Sequence, residues 1–288
     1  MQEIANNLAG GAALGAVYAL LALGLTLVYG VARVFNFAHG SFFTWGAYLA
    51  YVFLVRVGLG YPATFAIVIP IMFAVGLLVE RTIARPLRFN PNFEFTSIVA
   101  TLGLAFLMDY MVLRIFGGRL KALPELFSGS VSYGGVVMSV HELAIVGISI
   151  GLVVALTLFL SRTKLGLSMQ ALSQDVFGAN LVGIHVGRTF GYTFGISAAL
   201  AGLAGILLSP LFFLRPLGGW EILAKSFVIV AFGGLGSMQG TLIAAIILGM
   251  VESLITGYIG AVWSLVGWFV ILLLILIIRP RGLFGVWE

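Results

Sequence analysis

Few residues in this chain have the types and spacings that perform catalysis. The three histidines, His39, His141 and His185, lie far apart in sequence and show none of the spacings that bind a metal ion. No set of nucleophile, base and acid stands out. The chain has no cysteine, which excludes thiol chemistry and disulfides. We therefore expect no enzyme activity, no metal ion and no cofactor.

Glycine motifs of the nucleotide-binding type do not change this expectation. Gly234, Gly236 and Gly240 superficially resemble a dinucleotide-binding loop, but their spacing is wrong and an apolar segment surrounds them. No glycine loop followed by Lys-Ser or Lys-Thr occurs in the sequence, so the chain itself is not expected to bind ATP.

The composition indicates a membrane protein. Of the 288 residues, 61% are hydrophobic and 9% are charged, whereas soluble domains carry about 25% charged residues. Several apolar runs exceed the roughly 18 residues that a membrane helix needs. The net charge of +5 comes without a basic block, so we expect membrane lipid as a partner and not nucleic acid. The prediction is an all-α polytopic integral membrane protein, with one transmembrane domain over residues 1–288.

Eight hydrophobic segments follow one another along the chain. They lie at about 7–29, 35–55, 62–83, 95–116, 142–160, 188–211, 222–256 and 262–278. The second and seventh segments differ from ordinary spans, so we expect either six full spans with two broken or re-entrant elements, or eight spans. Segments one to three and six to eight share the order span, broken element, span, as internal repeats of transporters do.

The second segment opens with a polar group, residues 36–41, between two apolar runs that no proper loop separates. Two interpretations stay open. The group is either a short turn outside the membrane between two plain spans, or the start of a discontinuous helix that lines a path. A broken helix at membrane depth needs protein or a water-filled cavity to satisfy its backbone.

The seventh segment carries a glycine-rich run, residues 233–240, in its middle. It is too long for one helix and too short for two full spans with a loop. A helix that enters partway, turns at the glycines and returns fits better. From the two broken elements we predict the lining of a translocation path, with packing and turn roles as the alternative. The predicted lining residues are Asn36, His39, Ser41, Gly233, Gly236 and Ser237.

Small residues spaced four apart mark the sixth segment as a packing helix. Ser197, Ala201, Gly205 and Ser209 form a ridge, and in lipid such ridges let two helices approach closely. This ridge is the strongest helix-packing signal in the chain.

Charged residues lie at the ends of the segments. With six full spans, the basic clusters at 81–88, 162–188 and 279–281 fall on one side, and both termini are expected in the cytoplasm. The other side then holds nearly as many basic residues, so the charge bias alone does not fix the orientation. Asp109 lies inside its span, where an acid is a candidate functional residue by default. The alternative, which we favour, is that it lies within two turns of the helix end and reaches Arg114 or water.

The stretch 161–188 is the longest polar-rich interruption in the second half of the chain. Asp175 is placed to cap a short helix over residues 176–182, and Gly183 to end it. A helix of about two turns is marginal alone in water. A helix of this length between two membrane segments therefore suggests a segment that is pressed against a partner.

Residues 169–184 resemble the coupling loop of bacterial ABC importer permeases of the branched-chain amino acid (LivH-type) family. The residues that carry the resemblance are Ala171, Asp175, Ala179, Gly183 and Ile184. Other stretches with similar signatures are 36–40, 46–48, 201–205, 233–237 and 279–285. The resemblance extends over nearly the whole chain.

The resemblance implies a type II-like permease subunit in the bacterial cytoplasmic (inner) membrane, with the loop 161–188 in the cytoplasm. It further implies four partners: a second, paralogous permease, two ATP-binding subunits and a periplasmic solute-binding protein. The expected function is ATP-driven import of branched-chain amino acids, with ATP hydrolysis in the partner subunits. Urea, short amides or sugars stay open as substrates, and an ion-coupled secondary transporter stays open as another class of protein.

Overall fold

The computed structural model describes residues 2–88, 90–133 and 136–284, and twelve α-helices and one β-hairpin account for most of them. The hairpin pairs β1 (Ser130–Tyr133) with β2 (Val136–Ser139) in antiparallel register. The helices are α1 (Gln2–Ala32), α2 (His39–Tyr51), α3 (Tyr61–Val79), α4 (Arg85–Leu87), α5 (Phe93–Phe116), α6 (Val140–Arg162), α7 (Lys164–Gln174), α8 (Val176–Leu181), α9 (Val186–Leu208), α10 (Gly219–Gly233), α11 (Met238–Tyr258) and α12 (Ser264–Ile278).

Seven helices in the described part are long and apolar enough to cross a membrane. Five of them are α1, α5, α6, α9 and α11. The other two are the continuous helix Tyr61–Leu87, which runs from α3 to α4, and the helix Ala261–Ile278, which contains α12. The all-α membrane fold is therefore confirmed, but the count lies between the predicted six and eight. The difference arises in the seventh segment, which divides at its glycines into the short α10 and the 21-residue α11.

Helices α1 and α9 form the centre of the bundle. In the most apolar part of each of these two helices 89% of the residues are buried, whereas the shares in the spans that contain α3, α5, α6 and α12 are 28%, 28%, 22% and 11%. Glycines allow the close contact of α1 with α11, because a Cβ at Gly249 would overlap the backbone of Gly15. Close backbone approach at small residues is the usual way in which membrane helices pack.

The short helices α2 and α10 both begin inside the bundle. Residues 33–38 enter the bundle without helical structure, and Asn36 and His39 are fully buried. The alternative of a turn outside the membrane is therefore wrong for the second segment. The first turn of α10 packs against the first turn of α2, where a Cβ on Gly40 would overlap the carbonyl oxygen of Gly219.

The two ends of the bundle differ in charge. The end that holds the C-termini of α1, α3, α6 and α12 carries nine basic residues and is called the basic end; the opposite end carries five and is called the outer end. The nine are Arg33, Arg81, Arg85, Arg88, Arg162, Lys164, Arg188, Arg279 and Arg281; the five are Arg56, Arg114, Arg119, Lys121 and Arg215. The positive-inside rule places the basic end in the cytoplasm.

The three predicted basic clusters thus share one end, but the expectation that both termini lie in the cytoplasm is wrong. The start of α1 lies at the outer end, where Asn6 accepts a hydrogen bond from the Val137 backbone. The last described residues lie at the basic end, where the Leu283 amide donates a hydrogen bond to the Phe232 carbonyl. The reason is that the seventh segment supplies a full span, α11, which raises the number of spanning helices from six to seven. α2 and α10 each complete a further crossing together with the irregular chain before them, so the total in the described part of the chain is nine and odd.

The packing ridge on α9 yields a test. All four residues of the ridge are buried, and a Cβ on Gly205 would overlap the carbonyl oxygen of Phe43. We expect Gly205→Val to lower the stability of the detergent-solubilised protein by about 1–3 kcal/mol, the usual cost of overpacking. Gly147→Val is the matched control, because nothing lies within 4 Å of a Cβ there. Equal thermal unfolding temperatures for the two variants would contradict the ridge.

Candidate translocation path and coupling surface

The first three predicted path residues lie together at the start of α2. His39 forms a 2.8 Å hydrogen bond through Nε2 with the Leu21 carbonyl, and its Nδ1 lies 3.3 Å from the Ser197 hydroxyl. Ser41 donates a 2.8 Å bond to Asp109. Asn36 is fully buried, and its Nδ2 has no partner among the described residues. These side chains therefore join α1, α5 and α9 around the broken element.

The other three predicted path residues form the turn between α10 and α11. Gly233 is buried against Gly240, and Gly236 has a positive φ of 83° and lies beside Gly30. Ser237 caps α11 by accepting a 3.1 Å bond from the Gly240 amide. Six residues of α1, about 9 Å, separate Gly24, which touches His39, from Gly30. The structure thus divides the six candidates into an inner group and a group at the basic end.

Asp109 occupies a different environment from the one expected. It is 2% exposed and accepts hydrogen bonds from the Ser41 hydroxyl and, at 2.7 Å, from Trp220 Nε1. The expectation that it reaches Arg114 or water is therefore wrong. The first turns of α2 and α10 come close enough to bring two donors to this carboxylate. It therefore ties both broken helices to α5.

A buried ion pair inside the bundle escaped the sequence analysis. Lys225 of α10, 4% exposed, donates a 2.6 Å bond to Glu252 of α11 and lies 3.2 Å from Glu221. Its ammonium also contacts the Tyr18 hydroxyl and lies over the rings of Tyr18 and Trp268. The sequence does carry a signal for this pair, because Lys225 lies within an apolar segment, four residues after Glu221.

The short helix predicted over residues 176–182 is confirmed within one residue. α8 covers Val176–Leu181, Asp175 accepts a 2.9 Å bond from the Phe177 amide, and Gly183 has a positive φ of 86°. The stretch also contains α7, an 11-residue helix that the sequence pattern did not indicate.

The coupling residues named from the resemblance divide by exposure. Asp175 and Gly183 are exposed, Ala171 and Ile184 are half-buried, and Ala179 is buried. Ala179 therefore supports the loop from within, where its carbonyl accepts a bond from the Ile184 amide. The most exposed side chains here are instead apolar: Phe177 and Leu181 of α8 and Val182 directly after it are each more than 70% exposed.

An ionic cluster fixes the place where the loop rejoins the membrane. Glu80 is 1% exposed and pairs with Arg85 at 2.9 Å and with Arg88. Arg85 also donates a 3.1 Å bond to the Gly187 carbonyl at the start of α9. Burial lowers the pKa of the Arg88 guanidinium, and the Glu80 carboxylate opposes that shift. The cluster joins the end of α3 to the end of the loop.

A cavity connects the loop with the glycine turn. It lies between α1, α6, α7 and the start of α11, and includes Gly30, Ser161, Gln170 and Gly236 among its lining residues. A displacement of α7 would therefore change the space below the turn that carries three of the predicted path residues. Within the described residues, no group of three or more histidine or acidic side chains is placed to hold a metal ion.

Comparisons with known proteins give a consistent result. Residues 7–278 match the family described as "Branched-chain amino acid transport system / permease component". The chain is 32% identical to the branched-chain amino acid permease BraD of Pseudomonas aeruginosa, over 99% of this chain and 95% of BraD. It is 31% identical to LivH of Escherichia coli, over 96% and 93% of the two chains.

A solved structure shares the fold. PsaBC from Streptococcus pneumoniae in complex with Fab contains a chain with a TM-score of 0.53 and 11% identity, over 98% of this chain and 93% of that one.

The buried ion pair yields a test. We expect Lys225→Met to destabilise the protein by about 3–5 kcal/mol, because it leaves Glu252 buried without its cation. The double variant Lys225→Met with Glu252→Leu should recover most of this loss, because the unpaired charge is gone. The measurement is the thermal unfolding temperature in detergent. A double variant that is less stable than the single one would show that the pair is net stabilising and contradict this reasoning.

Proposed function

The chain belongs to the branched-chain amino acid transport permease family, and we propose that it imports branched-chain, hydrophobic amino acids across the bacterial inner membrane at the expense of ATP. It is a multi-pass permease subunit and not an enzyme. The family membership sets aside the ion-coupled secondary transporter that the sequence had left open. Urea, short amides and sugars have no comparable support, because the relatives that match are named as amino acid permeases.

The observation that carries the coupling role is the apolar surface of α8. Phe177 and Leu181 of α8 and Val182 directly after it are 73%, 71% and 78% exposed at the basic end, outside the spanning helices. Water does not favour three such side chains within six consecutive residues. We assign this surface to a groove on a cytoplasmic ATP-binding subunit, which would receive α8 and move it when ATP binds.

The partner permease is proposed to be a paralogue. Two differently named permeases of Escherichia coli match this chain: LivH, at 31% identity, and LivM, at 28% over 94% of this chain and 68% of LivM. A family with two such members in one transport system favours a heterodimer over a pair of identical chains. A periplasmic solute-binding protein would dock on the outer end and deliver the amino acid.

The proposed motion begins at α8 and ends at the broken helices. α8 and α7 would shift with the ATP-binding subunit, and the cavity beneath them would change shape next to the turn 233–237. Ala171, Asp175, Ala179, Gly183 and Ile184 would keep the loop rigid enough to transmit the force. Asn36, His39, Ser41, Gly233, Gly236 and Ser237 stay candidates for the path.

The function itself is tested by reconstitution. The chain is assembled with its paralogous permease, the ATP-binding subunits and the binding protein in proteoliposomes. We expect uptake of radiolabelled leucine that requires ATP and the binding protein. Uptake that is driven instead by a proton or sodium gradient, or the absence of leucine uptake from a complex that transports another solute, would overturn the proposal.

The coupling surface is tested by Phe177→Glu. The change places a buried charge in the proposed groove, while an acidic residue in the first turn of a helix leaves α8 itself stable. We expect ATP-driven uptake to fall about tenfold or more, since a central interface residue contributes about 2 kcal/mol or more. The matched control is Phe177→Leu, which keeps an apolar side chain at the same exposed position and should retain uptake. Unchanged uptake and unchanged ATPase co-purification with Phe177→Glu would refute docking at α8.

A further inference from the structure

A cleft opens at the outer end between α2, the end of α9 and the start of α10. It encloses about 550 Å³ of space between atoms, its open mouth included. One side is apolar, and the residues that form it are Phe43, Ala47, Leu208, Phe212, Phe213 and Ile222. Phe212 and Phe213, which are 50% and 67% exposed, stand at the mouth. None of these residues belongs to the predicted path.

The other side of the cleft is charged, and its charges balance. Arg215 donates a 2.9 Å bond to Glu221, whose second oxygen lies 3.2 Å from the Lys225 ammonium. Glu252 completes the group at 2.6 Å from the same ammonium. Two cations thus face two carboxylates. A zwitterion adds one charge of each sign, so it can enter this arrangement without leaving a net charge in the bundle.

The cleft also contains a polar atom without a partner. Tyr48 lines it, its side chain is fully buried, and its hydroxyl makes no hydrogen bond with any residue that the structure describes. A buried hydroxyl that stays unpaired costs about 1–3 kcal/mol. The ring is held by Phe116, whose centroid lies 4.8 Å away. The hydroxyl is therefore fixed in place beside the cleft, with its hydrogen-bonding capacity unused.

From these observations we propose that the cleft binds a neutral, zwitterionic amino acid with an apolar side chain as it enters the permease. The substrate carboxylate meets Arg215 and Lys225, the ammonium meets Glu221, and the side chain lies against the phenylalanines. The Tyr48 hydroxyl hydrogen-bonds the substrate. The start of α10 at the base of the cleft adds the partial positive charge of a helix N-terminus on the carboxylate side. This site deepens the proposed function and rests on it.

The same chemistry sets the selectivity. An acidic or a basic amino acid brings a net charge into a balanced, largely buried cluster, and an uncompensated buried charge is costly. A sugar lacks the charges and leaves the ion pairs undisturbed but gains nothing from them. The cleft therefore discriminates after the binding protein has delivered its cargo.

The direct test uses the absence of native cysteine in this chain. A single cysteine replaces Phe213 at the mouth, and Phe212→Cys serves as a second reporter. The membrane complex of both permeases and the ATP-binding subunits is treated with a polar maleimide. Its partner subunits are free of cysteine, and the binding protein is left out. We expect leucine to slow the labelling in a saturable way, and aspartate and lysine to have no such effect at equal concentration.

Tyr48→Phe tests the unpaired hydroxyl. The change removes a hydroxyl that forms no hydrogen bond with any described residue, so the fold is expected to be unaffected. The leucine concentration that gives half-protection should rise about threefold to tenfold, the equivalent of one hydrogen bond. Tyr110→Phe is the matched control, because Tyr110 is 69% exposed on the surface of α5. ATP hydrolysis without the binding protein should be the same in Tyr110→Phe and in the native sequence.

The outcomes separate the two proposals. If the reporter variants import leucine with ATP but leucine gives no protection, or both cysteines never react, the cleft is not the entry site and the proposed function stands. Equal protection by aspartate or lysine overturns the zwitterion selectivity. An unchanged half-protection concentration in Tyr48→Phe removes the role of the hydroxyl. If the complex with native permease sequence imports no leucine, the proposed function itself fails.

Discussion

The fold depends on one constraint: backbone that is not helical must be satisfied by protein wherever water is absent. Residues 33–38 and 234–237 break the helical pattern, and the bundle tolerates the first break because α1, α5 and α9 surround it. Glycine makes this enclosure feasible. At Gly40 and Gly219 the two broken helices touch through their backbones, and any Cβ would separate them. The close contact then places Ser41 and Trp220 on the same carboxylate, that of Asp109.

Much of the architecture could be predicted from the sequence because hydrophobicity and glycine spacing are local signals. The apolar runs gave the spans, the four-spaced ridge marked the buried α9, and Asp175 and Gly183 bounded α8 within one residue. The number of crossings could not be read in the same way. A stretch of irregular chain followed by a half-length helix crosses the bundle without the 18 or so apolar residues that identify a span.

The contacts of the interior polar groups could not be predicted as well from the sequence, because their partners lie far away along the chain. Asp109 was placed near a helix end by its position in α5, yet its partners lie 68 and 111 residues away. Lys225 and Glu252 are 27 residues apart and meet only because α10 and α11 fold back on each other at the glycine turn. A spacing rule based on one helix detects neither contact. Charge at membrane depth is a reason to search for a partner, and the fold then supplies its identity.

The two ends of the molecule are joined by α10. Under the proposed function, this helix connects the substrate cleft with the part of the chain that contacts the ATP-binding subunit. Its first turn forms the base of the outer cleft, and its last turn leads into the glycine turn beside the cavity under α7. Between these ends, Lys225 anchors it to α11 through Glu252, and Phe227 packs it against the non-helical stretch before α2. A helix of 15 residues held at such points moves as one body. Under the proposed function, a displacement of the loop 161–188 that reaches the glycine turn would therefore be transmitted to the charged side of the cleft, where the substrate would be held or released.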